Sequence, residues 1–174
     1  MKLIVAIDNY TWINHLSGII MRNPSEFVVM VVLKDVRPVL KYPRLCEEAV
    51  YAQRRNDLFQ IGKQLHINKI INLGYTNLYE NPERLIVQLQ LQTMIGGIDT
   101  VYFQYNNILN SIFKKINVRE KYSFDVDLVK ATDKIVLSDN EITKKSELAT
   151  LLVGAASVSD VNHSSDIEYF IKVM

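Results

Sequence analysis

Short apolar runs alternate along the chain with longer segments in which apolar and polar residues are mixed. The runs at residues 3–7 and 27–33 are continuous and rich in β-branched side chains, which is typical of strands buried on both faces of a parallel sheet. Shorter runs of the same kind lie at residues 69–73, 100–103 and 134–137. The pattern therefore predicts a strand at each of these positions.

Helices are predicted in the mixed segments between the apolar runs. Ser138 and Glu141 have the spacing of a capping box, and Asn81-Pro82-Glu83 combines a capping side chain, a proline and an acid at a helix start. The predicted helices cover residues 11–21, 45–66, 81–94, 108–116 and 138–153. The apolar segment at residues 167–173 is expected to be ordered, and its type stays open.

The order of these elements determines the expected fold class. Alternating strands and helices build a parallel sheet that is covered by helices on both faces. A chain of 174 residues has the size of a single domain and is long enough to enclose a substantial apolar core. We therefore predict an α/β fold, a Rossmann-like three-layer α/β/α sandwich with a mostly parallel sheet, formed by one domain over residues 1–174.

Composition and charge argue against several classes of protein. Lys plus Arg number 20 and Asp plus Glu number 19, and this balance makes a nucleic-acid partner unlikely on electrostatic grounds. The apolar runs are much shorter than the roughly 20 residues needed to cross a bilayer, so no membrane contact is expected. The single cysteine, Cys46, cannot form an internal disulfide. We expect a cytoplasmic protein in which Cys46 has a packing role.

Polar side chains follow the predicted strands where a ligand site is expected. Ligands of open α/β sheets bind beyond the carboxyl ends of the strands. Asp8 and Thr11 follow the first strand, Asn77 follows the third, and Tyr105 and Asn107 follow the fourth. Such groups suit hydrogen bonding to, and stacking on, a flat or sugar-like ligand. Structural alternatives stay open for most of them. Asp8 or Thr11 can cap the first helix, and Asn106 and Asn107 can be turn residues. Tyr105 can be a core tyrosine whose hydroxyl contacts water.

General catalytic motifs are not found in the sequence. It contains no phosphate-binding glycine loop, no nucleophile elbow and no histidine pair at helical spacing. None of His15, His66 and His163 has a partner at the spacing of metal ligands. We expect a surface or packing role for each histidine, and His163 is the most open to another role because it lies in a predicted loop.

Several segments, taken in order, resemble the PIG-L (LmbE-like) family of N-acetylglucosamine deacetylases. Residues 54–67 resemble the family helix that carries an arginine, an acid three residues later and a Leu-Gly-Val exit. Leu73-Gly74-Tyr75-Thr76-Asn77 resembles the Leu-Gly-Tyr-Pro-Asp end of the strand that follows. Lys145 with its helix, and later Glu168-Tyr169-Phe170, resemble the C-terminal segment of the family. The resemblance covers nearly the whole chain.

This resemblance implies a Rossmann-like fold and the metal-dependent hydrolysis of an N-acetyl group on an amino sugar. In the family, zinc polarises the amide carbonyl and activates water, and an aspartate acts as general base. The first family motif, His-Pro-Asp-Asp-Glu, falls on Asp8-Asn9-Tyr10-Thr11-Trp12, and the second, His-x-x-His, falls on residues 107–110. Asp8, Thr11 and Asn110 therefore stand at the positions of the metal ligands, and Tyr10 stands at that of the base.

The chain differs from the family at the metal-ligand positions and retains more of the family's substrate-binding residues. One carboxylate, a hydroxyl and an amide do not make an ordinary zinc site. The resemblance retains Arg54, matches Tyr105 to a tyrosine before the second motif, and places Asn77 where the family has an acid that touches sugar hydroxyls. We therefore predict Arg54, Asn77 and Asn107 as substrate-binding residues, with Asp8 and Tyr105 as the catalytic residues of any remaining reaction.

Three hypotheses about function follow. In the first, the protein needs no cofactor and binds a sugar, a nucleotide or a partner in the inherited cleft without hydrolysing it. In the second, it is an active amide hydrolase in which Asp8 and Asn110 hold Mg²⁺ or Mn²⁺, with His163 assisting. In the third, it is a structural or interaction protein, for example a homo-oligomer, with a vestigial cleft. The small size and the Lys-, Ile- and Asn-rich composition suggest a phage or an AT-rich bacterium as its source.

Overall fold

The computed structural model describes residues 1–7, 11–23, 25–34, 56, 58–75, 83, 84, 87, 97–153 and 166–174. Within these ranges, seven strands form one sheet in the order β3-β2-β1-β4-β5-β7-β6. The strands are β1 (Lys2–Ala6), β2 (Val28–Lys34), β3 (Lys69–Tyr75), β4 (Thr100–Gln104), β5 (Glu120–Phe124), β6 (Asp133–Val136) and β7 (Ile167–Lys172). The strands predicted from apolar runs correspond to β1, β2, β3, β4 and β6.

The direction of the strands confirms a mostly parallel sheet. β1 pairs in parallel with β2 and β4, β2 pairs with β3, and β4 pairs with β5. β7 runs antiparallel to both of its neighbours, β5 and β6. The C-terminal segment whose type was left open is therefore a strand, inserted between two strands that precede it in the chain.

Helices cover both faces of this sheet, as predicted. The described helices are α1 (Thr11–Arg22), α2 (Asn107–Lys115) and α3 (Asp139–Val153). Residues 58–64 are also helical and belong to the predicted helix 45–66, while residues 83, 84 and 87 are helical within the predicted helix 81–94. The remaining residues of those two predicted helices lie outside the described ranges, apart from residue 56, which is helical, and residues 65 and 66, which form a turn.

Alternation along β1 divides the apolar residues between two cores. Ile4 and Ala6 pack with Leu16 of α1 in one cluster, whereas Leu3 and Val5 pack with residues of α2 in the other. Because successive side chains of a strand point to opposite faces, a continuous apolar strand requires helices on both sides. The three-layer α/β/α sandwich is confirmed.

The capping box predicted at the start of the last long helix is present. The Ser138 N–H donates to Glu141 Oε1 at 3.0 Å, and the Glu141 N–H donates to Ser138 Oγ at 3.3 Å. These reciprocal bonds satisfy two backbone donors at the helix end. Glu141 also pairs with Arg22 at the end of α1, with 3.1 Å between Oε2 and Nε, and this hydrogen bond lowers the pKa of the Glu141 carboxyl.

β5 was missed by the apolar pattern because charged residues begin it. Its sequence is Glu-Lys-Tyr-Ser-Phe, which contains no apolar run. Lys121 is tolerated there because its Nζ donates to the carbonyls of Phe113 and Ile116 at the end of α2, at 2.8 and 3.1 Å. A lysine in this position satisfies carbonyls that have no partner within the helix.

The expectation that strands and helices alternate throughout was wrong between β5 and β6. A short 3₁₀ turn, Leu128–Lys130, connects these strands in place of an α-helix. No crossover helix is needed because β6 does not pair with β5, and β7 fills the space between them. A reversed strand from the C-terminus therefore completes this side of the sheet.

A fully buried ion pair joins α3 to β7 and both to α1. Lys145 Nζ lies 2.8 Å from Glu168 Oε2, and both side chains are 0% exposed. Lys145 also donates to the carbonyl of Asn14 at 2.6 Å, and Glu168 Oε1 accepts the N–H of Gly18 at 2.7 Å. Burial raises the pKa of the Glu168 carboxyl, and Lys145 and the Gly18 N–H act in the opposite direction.

Gly18 is required by this contact. A Cβ at position 18 would overlap Leu137 Cδ2 and would lie 2.8 Å from Glu168 Oε1. Glycine in a helix interior costs about 1 kcal/mol relative to alanine, and the close approach of α1 to Glu168 compensates for it. α1 is thus held to the sheet by packing and by hydrogen bonds to a buried charge.

We expect Lys145→Met to lower the free energy of unfolding by about 3–5 kcal/mol, because Glu168 would keep its burial and lose its cation. Urea denaturation followed by circular dichroism measures this change. Lys144→Met, at the exposed neighbouring position, is the control and should change stability by less than about 0.5 kcal/mol. Adding Glu168→Gln to Lys145→Met should recover part of the loss. Equal stability of the two lysine variants would contradict this role for the pair.

Candidate functional site

The strands β1, β4 and β5 are neighbours, and the residues that end or follow them meet at one edge of the sheet. We call this region the carboxyl edge and define it by Ile7, Gln104, Tyr105, Asn107 and Asp125. Parallel strands place their carboxyl ends on the same side, and β4 lies between β1 and β5. The carboxyl edge is therefore where the polar residues predicted from the sequence should converge.

Gln104 connects the segments that leave β1 and β5. Its side chain is buried, and its Oε1 accepts the N–H of Ile7 at 2.8 Å. Its Nε2 donates to Asp125 Oδ2 at 3.2 Å. One amide thus satisfies a backbone donor next to Asp8 and orients a carboxylate on the far side of β4.

Asp125 has an unusual backbone conformation, with φ of 58°. Phe124 packs in the core on the α1 side of the sheet, so strand alternation would direct the next side chain to the opposite face. The left-handed conformation instead brings the Asp125 carboxylate to His15 of α1. His15 Nε2 lies 3.4 Å from Asp125 Oδ1, and the imidazole ring is 6.2 Å from that of Phe124.

The structure places the side chains of Tyr105 and Asn107, two of the predicted site residues, next to each other. The Tyr105 N–H donates to the Phe124 carbonyl at 2.8 Å, which extends the ladder between β4 and β5 by one residue. The Tyr105 side chain is 45% exposed, and its hydroxyl lies 3.5 Å from Asn107 Oδ1. Asn107 is exposed at the first position of α2. The two side chains form a polar, partly aromatic surface at the carboxyl edge.

The other asparagines of this segment have different surroundings. Asn106 is the N-cap of α2, and its Oδ1 accepts the N–H of Ile108 at 2.8 Å. Asn110, at the position of a family metal ligand, is half-buried in the first turn of α2, where its N–H donates to the Asn106 carbonyl at 2.8 Å. Asn106 therefore has a structural role as a helix cap, whereas the side chain of Asn107 is exposed beside Tyr105.

Several predicted site residues lie outside the described ranges. These are Asp8, Tyr10, Arg54, Asn77 and His163. Thr11 is the first residue of α1, and its side chain also lies outside the description. Ile7, the residue before Asp8, is described, and its N–H donates to Gln104 Oε1.

Two residues of this region, His15 and Asp125, were not predicted as functional. His15 was given a packing or surface role because no partner stands at metal-ligand spacing in the sequence. Asp125 was overlooked because β5 was missed. The Asp-Val-Asp turn after an aromatic residue, at residues 124–127, was the one available signal, since aspartate tolerates positive φ better than most residues.

The carboxyl edge contains one carboxylate, two amides and a phenol, and the imidazole of His15 lies next to it. Among the described residues, no three His, Cys, Asp or Glu side chains are grouped as metal ligands. His15 and Asp125 are one third and two fifths exposed, at 32% and 44% of their side-chain surface. This arrangement can donate and accept several hydrogen bonds and can present a ring face to a ligand.

In the part of the chain that the structure describes, no helix has the length and apolar character needed to cross a membrane.

Comparison with known proteins gives a clear result for the fold alone. No protein-family model matches the sequence, and no curated protein matches it. Among solved structures, N,N'-diacetylchitobiose deacetylase from Pyrococcus horikoshii is similar with a TM-score of 0.74 and 12% identity, over 92% of this chain and 72% of that one. A deacetylase of teicoplanin biosynthesis is similar with a TM-score of 0.63 and 7% identity, over 99% of both chains.

The expected PIG-L (LmbE-like) fold is thereby confirmed. The same comparison includes GalB, the 4-carboxy-2-hydroxymuconate hydratase from Pseudomonas putida KT2440, with a TM-score of 0.68 and 11% identity over 100% of this chain and 97% of that one. Proteins of this fold therefore include a hydratase as well as deacetylases, so function must be argued from the side chains at the carboxyl edge.

We expect Gln104→Leu to lower the free energy of unfolding by about 1–3 kcal/mol, because it leaves the Ile7 N–H and the Asp125 carboxylate without this partner. Urea denaturation measures the change. Ser111→Ala, at an exposed position of α2, should remain within about 0.5 kcal/mol of the unsubstituted protein. If Gln104→Leu is as stable as Ser111→Ala, the side chain of Gln104 does not connect Ile7 to Asp125 in solution.

Proposed function

We propose that this protein binds an N-acetylated amino sugar or a related saccharide at the carboxyl edge and does not hydrolyse it. The observation that carries the proposal is the exposed Tyr105 ring beside the Asn107 amide, at the edge where folds of this class bind ligands. A solved structure of the same fold is a chitobiose deacetylase, which makes an N-acetyl sugar the first ligand to consider.

The chemistry of the edge suits a neutral, hydroxyl-rich ligand. Amides and phenols both donate and accept hydrogen bonds, as sugar hydroxyls and N-acetyl groups require. The face of a tyrosine ring provides an apolar surface with a polar tip, which matches the apolar face of a pyranose. The near balance of 20 basic and 19 acidic residues gives no general attraction for a strongly charged ligand.

The residues at the metal-ligand positions support binding without hydrolysis. Asp8, Thr11 and Asn110 provide a carboxylate, a hydroxyl and a neutral amide. Zinc sites use histidine, cysteine and carboxylate ligands, so these three residues do not fit zinc. Asn110 lies in the first turn of α2. We therefore assign no reaction step to a zinc ion in this protein.

A second candidate function is amide hydrolysis with Mg²⁺ or Mn²⁺. It is favoured by one observation: Asp125 adds a carboxylate to the same edge that Asp8 follows, and carboxylate, amide and water oxygens are what these cations prefer. Acetate release from N-acetylglucosamine that requires Mn²⁺ and is abolished by a chelator would identify this second function.

We expect Tyr105→Ala and Arg54→Ala each to weaken the binding of N,N'-diacetylchitobiose by about tenfold, equivalent to about 1.4 kcal/mol. Isothermal titration calorimetry measures the dissociation constants. Phe59→Ala is the matched control, because Phe59 is an aromatic residue exposed to 48% in the helical residues 58–64, and it should leave binding unchanged. The proposal fails if the unsubstituted protein shows no binding at millimolar sugar, or if Tyr105→Ala and Phe59→Ala behave alike.

A further inference from the structure

We propose that His15 and Asp125 belong to the same binding site, with Asp125 accepting hydrogen bonds from ligand hydroxyls. This inference rests on the proposed function and adds residues that neither the family motifs nor the sequence pattern includes. It is based on the left-handed backbone conformation of Asp125.

Positive φ is rare among the described non-glycine residues and occurs at His66 and Asp125. His66 lies in the two-residue turn that follows the helical residues 58–64, where a left-handed residue commonly terminates a helix. Asp125 follows a strand instead. A left-handed conformation is unfavourable for a residue with a Cβ, although aspartate tolerates it better than most. We therefore expect the left-handed conformation of Asp125 to have a function that offsets its energetic cost.

The conformation changes the face to which Asp125 points. Alternation after the buried Phe124 would place the next side chain on the α2 side, away from His15. With φ at 58°, the carboxylate instead lies 3.4 Å from His15 Nε2 and 3.2 Å from Gln104 Nε2. The backbone of Asp125 thus directs its carboxylate toward His15 of α1.

Stability alone does not account for this arrangement. Both members of the pair are partly exposed, at 32% and 44%, and exposed ion pairs contribute little to folding. Phe124, the neighbouring residue, is fully buried and would anchor the end of β5 without the pair. Unfavourable backbone conformations that are not compensated by burial are concentrated at functional sites.

The position of the pair indicates the class of ligand. Tyr105 is bonded through its N–H to the carbonyl of Phe124, so the exposed phenol and the Asp125 carboxylate follow adjacent, paired strand ends. A carboxylate has about four acceptor sites, and the contacts to Gln104 and His15 leave room for further donors. A saccharide stacked on Tyr105 would offer such donors in its ring hydroxyls, whereas an anionic ligand would be repelled by the carboxylate.

The test compares Asp125→Gly and Asp125→Asn with the control Asp127→Asn, using titration calorimetry with N,N'-diacetylchitobiose and thermal unfolding of each protein. Glycine accepts positive φ without strain, which offsets the loss of the hydrogen bond from Gln104 Nε2, so Asp125→Gly should unfold near the temperature of the unsubstituted protein while its dissociation constant rises at least tenfold. Asp125→Asn should also bind at least tenfold more weakly. Asp127 is exposed and caps the 3₁₀ turn, a role that asparagine retains, so Asp127→Asn should bind normally.

The outcomes separate this inference from the proposed function. Weak binding by both Asp125 variants with intact folding supports the inference. Normal binding by the Asp125 variants overturns it and leaves the proposed function standing. A marked fall in the unfolding temperature of Asp125→Gly with binding retained also overturns it, because Asp125 would then be a structural turn residue. Absence of binding by the unsubstituted protein overturns both.

Discussion

The buried ion pair between Lys145 and Glu168 is the interaction on which the arrangement of this protein depends. It connects α3 and β7 with each other, and through Asn14 and Gly18 it holds α1 against the sheet. A charge buried without its partner is strongly destabilising, so these three elements must assemble together. Since His15 lies on α1 between Asn14 and Gly18, the same contact determines where the imidazole meets the carboxyl edge.

Gln104 connects the packed core to the candidate site through its hydrogen bonds. It joins the end of β1, at Ile7, to Asp125 after β5 by way of a buried amide on β4. The carboxyl edge is therefore built from side chains with defined hydrogen-bond partners rather than from independent loops. Such preorganisation lowers the cost of ordering a binding site when its ligand arrives. It is compatible with recognition of a neutral sugar by amide, phenol and carboxylate groups.

The sequence predicted those parts of the structure that depend on continuous burial. β1, β2 and β4 are apolar along their whole length or nearly so, and the capping box of α3 is recognisable from Ser138 and Glu141. β5 was not predictable because its Lys121 is stabilised by helix carbonyls, a contact that the pattern of apolar residues does not show. The orientation of β7 was not predictable because no local sequence pattern marks an antiparallel strand. Tyr105 and Asn107 were predicted as site residues because they follow an apolar strand that is recognisable in the sequence. Asp125 and His15 were missed because their contact depends on a single backbone angle.

We propose that the carboxyl edge binds a ligand without a hydrolytic metal centre. The most direct test of this proposal is elemental analysis by plasma mass spectrometry of the full chain after incubation with Zn²⁺, Mn²⁺ and Mg²⁺ and removal of free metal, with Asp8→Ala treated in parallel. We expect no stoichiometric metal in either protein. One equivalent of metal in the unsubstituted protein, lost in Asp8→Ala, would contradict this proposal and would show that a metal centre has been rebuilt around Asp8.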